Sequence, residues 1–248
     1  WGLRFHTGTG YRHSMIVSGD YSDVICTPPH DITDKPINRY LPSGAKSDYI
    51  RSIMTAAATC LAETGISIWL WSQGIAPVLP SFKDQHNLTG GVISAVDVVR
   101  GLGVLMGLEV PTVPGATGFI DTNYAGKWAA AQTLLETYDL AYIHIEAPDE
   151  CGHMGDSDLK IKAIADFDQF IVQPVQAYLQ ANPLTRVMIL PDHPTPCEIK
   201  THSRDPVPVV IAGHGIEHTG GQAYTESEAT QMKQLYATPM ALFKAFTA

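Results

Sequence analysis

The sequence predicts an α/β protein: a parallel sheet covered by helices on both faces, preceded by a smaller α+β module. Three observations carry that reading. Past residue 90, short apolar runs alternate with longer segments of helical spacing. Before it, β-like runs come first and a helix follows. Asp and His residues gather just beyond the later apolar runs, where open α/β sheets hold their functional groups. The division is set at residues 1–90 and 91–248.

In the first module, residues 3–6, 11–17 and 23–26 read as strands. A Pro-rich loop follows through Thr27, Pro28, Pro29, His30 and Asp31. Residues 45–63 read as a helix, with Ile50, Ile53, Met54, Ala57, Ala58 and Leu61 on a spacing near 3.6. Gly65 is placed to cap it. Trp69 and Trp71 suit a lid or domain contact and equally suit core packing.

In the second part, 92–96 is a buried-strand candidate and 97–106 a helix despite its glycines. Residues 124–136 form a helix after Asn123, and 139–145 an apolar strand. Residues 158–179 are an amphipathic helix whose last turns Pro174 should kink. Residues 186–190 and 206–212 are further strands, and 239–246 a final helix. The chain holds no internal repeat and no low-complexity segment.

Composition narrows the function classes. Hydrophobic residues make up 45% and charged residues 17%, which suits a packed core and excludes a disordered chain. The formal net charge is -9. An acidic chain lacks the electrostatic footprint of a nucleic-acid binder and suits one that collects divalent cations. No apolar run reaches the roughly 18 residues of a membrane span, and no signal peptide is visible. Cysteines at 26, 60, 151 and 197 form no CxxC pair and read as free thiols of a reducing cytoplasm. The chain opens with Trp1 rather than Met, as a processed or trimmed product does.

The chemistry lies at the strand ends. Glu146, Asp149, Glu150 and His153 follow the strand at 139–145; Asp192 and His193 follow the one at 186–190. His202 and Asp205 precede the strand at 206–212. Carboxylates and imidazoles are the ligands of Zn, Mn and related ions. Asp149 and His153 are four apart, so one helical turn can aim both at one ion. Asp192 and His193 are adjacent, yet at a strand end both can reach a shared metal. His202 can close the site from a third segment. A lone His is more often structural, but three such sets at successive strand ends favour a metal site.

These residues lie in the strings HIEAPDECGHMGD at 144–156, LPDHPTP at 190–196 and THSRDPVP at 201–208. With YRH at 11–13, TPPHDI at 27–32, IWLWSQG at 68–74, VISAVDVVRGLG at 92–103 and VPGATGFIDTNYAGK at 113–127, they run almost end to end. The chain resembles the archaeal-type cofactor-independent phosphoglycerate mutases of the alkaline phosphatase superfamily.

The resemblance implies two divalent ions, manganese first and zinc or magnesium as alternatives. One is implied at Asp149, His153 and His202, the other at Asp192 and His193 with further ligands from outside this segment. It implies a phosphoenzyme route between 3-phosphoglycerate and 2-phosphoglycerate in glycolysis and gluconeogenesis. The first module resembles the domain inserted in the family's catalytic fold, which would hold the glycerate. Its candidates are Arg12, His13, His30 and Asp31: Arg for phosphate or carboxylate, His for proton transfer. For each, a surface or loop-bracing role competes. Arg100 and Lys127 are further substrate-binding candidates, though the family usually shows Lys where Arg100 stands. Gly115 to Gly118 can offer amides to an anion or form a tight turn. His214 and His218 read as exposed loop residues.

The family opens with a strand ending in Asp-Gly, followed by a Ser or Thr nucleophile. No segment after Trp1 matches it; Asp20 follows Gly19 instead. The reading therefore expects the inserted domain plus the latter part of the catalytic domain, and no turnover of phosphoglycerate by this chain alone. A metal-dependent phosphatase or phosphodiesterase shares the same ligands, and a non-catalytic metal- or metabolite-binding domain is the alternative outside enzymes. The implied substrate is a small molecule.

Overall fold

The structure, a computed structural model, describes residues 2–8, 11–221, 223–232 and 234–248. The chain forms two compact units: Trp1–Thr112 with Leu134–Tyr142, and Val113–Thr133 with Ile143–Ala248. These cut the chain at other points than residue 90.

In the first unit, β1 (Leu3–Thr7) pairs antiparallel with β2 (His13–Val17), Leu3 opposite Val17 and Thr7 opposite His13. Residues 23–26 contribute only an isolated bridge, Ile25 to Ser43. Pro28 and Pro29 lack the N–H that a longer ladder would need. Val24 is nevertheless buried, packed with Ile50 and Ile53 as the core of this unit. Those isoleucines lie on α1 (Ser47–Cys60), the predicted helix shortened at both ends. A 3-10 turn at Ala62–Thr64 continues it, and Gly65, with φ 68°, ends it in the left-handed region. Trp69 donates its indole N–H to the Thr27 carbonyl.

A short α2 (Phe82–His86), capped by the Ser81 hydroxyl, leads into β3 (Gly90–Ile93), every residue of which is buried. The helix α3 (Asp97–Leu105) follows, and β4 (Leu140–Ile143) is the hydrogen-bonded neighbour of β3. Gly91 also makes a parallel bridge with Glu109. This is the α/β alternation the sequence predicts.

In the second unit, α4 (Tyr124–Leu135) starts at Asn123, whose Oδ1 accepts from the Gly126 amide at 2.8 Å. Asn123 also donates to the carbonyls of Gly115 and Pro114. The loop from Gly115 is thus closed as a turn. Next come α5 (Ala147–Met154), α6 (Ser157–Phe167), a π-helical turn at Asp168–Val172 and α7 (Gln173–Ala181). The predicted helix of 158–179 is thus interrupted rather than only kinked. Pro174 removes one backbone donor, and the widened π turn just ahead of it absorbs the mismatch. Small residues Ala147, Cys151 and Ala163 let α5 and α6 pack closely.

The strands β5 (Arg186–Ile189) and β6 (Val210–Gly213) pair antiparallel, Arg186 opposite Gly213. Here the structure differs from the all-parallel expectation. A parallel pair needs a crossover, usually a helix, and residues 190–209 contain none. The chain ends with α8 (Glu226–Met232) and α9 (Pro239–Thr247), the latter capped by Thr238. No helix among the described residues is long and apolar enough to cross a membrane. All four cysteines are unpaired.

Candidate metal centre

The centre is built in the second unit from three segments. The first is α5. Pro148 stands in its first turn, where a missing N–H costs nothing. Asp149 and His153, one turn apart, point the same way, with Asp149 Oδ2 and His153 Nε2 3.3 Å apart. The second segment leaves β5. There His193 Nε2 lies 3.4 Å from Asp192 Oδ2, and His193 Nδ1 lies 3.9 Å from Asp149 Oδ1. The third precedes β6 and brings His202 Nε2 to 3.5 Å from Asp149 Oδ1 and 3.1 Å from His153 Nε2. The rings of His193 and His202 lie tilted by 34° with centroids 3.7 Å apart.

Asp149, His153, Asp192, His193 and His202, the candidate ligands read from the sequence, thus lie together. Asp149, His193 and His202 each offer a ligand atom within 4.8 Å of the others. Carboxylate oxygens and imidazole nitrogens packed this closely suit a small divalent cation, which would neutralise the carboxylates and use the ring lone pairs. Burial is graded: the side chain of His153 is 16% exposed and that of Asp192 71%. Asp192 and His193 also line a groove of about 470 Å³ shared with Ser203, Arg204 and Leu242.

Several supporting residues carry no sequence signal. The Thr195 hydroxyl donates to Asp149 Oδ1 and lies 3.2 Å from His193 Nδ1. Lys200, at φ 55°, turns its carbonyl to His153 Nδ1 at 3.1 Å. Lys160 donates from α6 to the Thr195 carbonyl. Gly152 leaves room for that carbonyl: a Cβ there would lie 2.3 Å from the Thr195 oxygen. Of these, Gly152 and Thr195 share strings with predicted ligands, HIEAPDECGHMGD and LPDHPTP.

Lys127, on α4, is 1% exposed and donates to the carbonyls of Thr117 and His144. Burial pulls its ammonium down to about 8, partly opposed by Glu146. His144 pairs with Glu146 at 3.2 Å. Burial pushes the His144 pKa down, while the carboxylates of Asp192 and Asp149 push it up.

The other candidates lie in the first unit. His13 Nδ1 accepts from the Gly8 amide, and the Arg12 guanidinium lies 4.8 Å from the Tyr11 ring centre. His30 and Asp31 sit in a 3-10 turn at Pro29–Ile32, with the His30 ring meeting Trp71 at 5.3 Å. Arg100 donates to the carbonyls of Ser94 and Pro111, bracing the start of α3. His214 and His218 are exposed, as read from the sequence.

Comparison with known proteins bears on this geometry. Residues 41–245 match the family described as the metalloenzyme superfamily. Residues 1–66 match 2,3-bisphosphoglycerate-independent phosphoglycerate mutase. A protein of that name from Methanothrix thermoacetophila is 46% identical over 93% of this chain and 62% of its own length. One from Methanosarcina acetivorans is 40% identical over 92% and 62%. The chain therefore spans about three-fifths of the length of the curated relatives it matches. A solved Pyrococcus horikoshii protein shares 27% identity at TM-score 0.59, over 76% of this chain and 59% of its own. A cofactor-independent phosphoglycerate mutase from Thermoplasma acidophilum, at 19% identity, shares the fold with TM-score 0.54, over 94% and 61%.

Proposed function

This chain belongs to the metalloenzyme superfamily, and on that premise we propose that it carries the divalent-metal part of a cofactor-independent phosphoglycerate mutase. The reaction is the interconversion of 3-phosphoglycerate and 2-phosphoglycerate. One observation carries the reading: five Asp and His side chains from three strand-end segments meet with polar atoms 3.1 to 3.9 Å apart. Relatives of that name at 40 to 46% identity supply the substrate.

Asp149, His153 and His202 would hold one ion, Asp192 and His193 another. Manganese is the preferred ion, with zinc or magnesium as alternatives. A bound pair of ions supplies charge neutralisation for in-line phosphoryl transfer. The protein's own share is orientation. Lys127 tethers the segment that ends in Glu146 through the His144 carbonyl, and Thr195 ties α5 to the loop after β5. Both act before any substrate arrives.

Residues 1–90 act as the inserted module that holds the glycerate, and 91–248 as the catalytic part. Arg12 binds its anionic groups, and His13, His30 and Asp31 serve proton transfer and positioning; Arg100 and Lys127, read from the sequence as substrate-binding, donate instead to backbone carbonyls and brace their own segments. The unpaired cysteines suit a reducing cytoplasm.

The test is an enolase-coupled assay of the whole protein that carries this chain, with 3-phosphoglycerate and manganese. Formation of 2-phosphoglycerate is expected. Release of inorganic phosphate without 2-phosphoglycerate would replace the mutase by a hydrolase of the same superfamily.

A further inference from the structure

Thr195 stands where the two ligand-bearing segments meet, and it is 4% exposed. Its hydroxyl reaches Asp149 Oδ1 at 2.5 Å and His193 Nδ1 at 3.2 Å. A hydroxyl has one proton, and an ionised carboxylate only accepts. The proton therefore points at Asp149, and a lone pair faces His193. That second contact is attractive only if Nδ1 carries the imidazole proton; the competing pull of Asp192 Oδ2 on Nε2 is longer, at 3.4 Å, and comes from a carboxylate 71% exposed and screened by solvent. The lone pair of His193 then sits at Nε2, the atom beside Asp192. The same logic applies to His153. The Lys200 carbonyl only accepts, so a proton at His153 Nδ1 is bonded there at 3.1 Å and leaves the lone pair at Nε2, facing Asp149 and His202.

We propose that Thr195 is a positioning residue that holds Asp149 in place and fixes His193 as its Nδ1–H tautomer, so that His193 offers Nε2 together with Asp192. Thr195 is itself held. Lys160 binds its carbonyl, the Ser203 amide binds the carbonyl of Pro194, and Gly152 lets the loop lie against α5. Partners of this kind fix ring orientation in metal sites generally.

The inference rests on the metal-centre reading, so its experiment has one arm that needs no metal. In the metal-free chain at about pH 8, where an ordinary imidazole is neutral, long-range ¹⁵N–¹H NMR reports the tautomer of each histidine. His193 is assigned by the loss of its signals in His193→Gln. The wild type and Thr195→Ser should both show His193 protonated at Nδ1, and Thr195→Val should shift it toward Nε2–H. In the second arm, calorimetric titration with Mn²⁺ and Zn²⁺ should show Thr195→Val weaker by about 10- to 100-fold, with Thr195→Ser as tight as wild type. An Nε2–H tautomer in the wild type overturns the proposal. So does an unchanged tautomer in Thr195→Val, or a serine variant that loses either property. The expected tautomers in a wild-type chain that takes up no metal would uphold Thr195 and sink the metal reading instead.

Discussion

The Nε2 atoms of His153 and His202 stand 3.1 Å apart, although 49 positions separate the two residues in sequence. Two ring nitrogens at this separation repel unless something positive lies between them: a shared proton or a metal ion. The opposite nitrogen of His153, Nδ1, lies 3.1 Å from the Lys200 carbonyl, an acceptor for a proton held there. Asp149 supplies a carboxylate to both rings, at 3.3 and 3.5 Å. The arrangement has the charge and lone pairs of a cation site, assembled from a helix turn and a loop.

A double variant, Asp149→Ala with His153→Ala, removes two donors from that set and leaves His202 alone on its side. Its affinity for manganese or zinc should fall by at least about 100-fold, the upper range for losing only a supporting partner. Elemental analysis after gel filtration reads this directly. Near-stoichiometric metal retained by the double variant would refute the ligand assignment.

Gly152 is a buried glycine in the body of α5, and close approach explains it. The atom a side chain would strike is a backbone oxygen, which cannot swing aside as a flexible side chain can. Gly152→Ala should therefore displace the Thr195 loop and cost about 1 to 3 kcal/mol in urea unfolding, in the range of overpacked cores. It should also weaken metal binding, since Thr195 holds Asp149. A variant of unchanged stability would mean that the loop adapts.

The two glycines of α3 give an internal contrast. A Cβ at Gly101 meets nothing within 4 Å, whereas one at Gly103 lies 3.0 Å from Val110 and 3.2 Å from Val92. Gly101→Ala should stabilise the protein by about 0.5 to 1 kcal/mol through helix propensity alone. Gly103→Ala should forfeit that gain to crowding. Equal unfolding midpoints for the two variants would count against the packing of α3 on β3.

The sequence made the candidate ligands visible but hid their supports. Asp149, His153, Asp192, His193 and His202 follow or precede apolar runs, and that position is a one-dimensional signal with a physical cause. The contact between Thr195 and Asp149 spans 46 positions, and Lys200 acts through a carbonyl that every residue possesses. Nothing local announces either. Strand direction was also out of reach: β5 and β6 look like members of a parallel sheet until the loop of 190–209 proves to hold no crossover helix. Arg100 shows the converse. Its charge is visible in sequence, but its guanidinium donates to the carbonyls of Ser94 and Pro111, a bracing role that charge alone cannot reveal.

Lys127 should leave a signature in the pH dependence of stability. Its pKa is about 8 in the folded chain against an ordinary 10.5, because burial penalises the ammonium form more than Glu146 favours it. Below the folded value, both states hold the proton and the penalty is full. Between the two values the unfolded chain holds a proton that the folded chain has lost, so stability rises with pH. Above 10.5 both are neutral and the penalty is gone. Lys127→Met removes the titrating group while keeping a long side chain in the space. Urea unfolding of wild type and variant at about pH 7.5, 9 and 10 should show the wild type gaining on the variant across the series, since other titrating groups cancel in the difference. A difference that stays flat with pH would mean that Lys127 remains charged inside the fold, held by Glu146 and the two carbonyls.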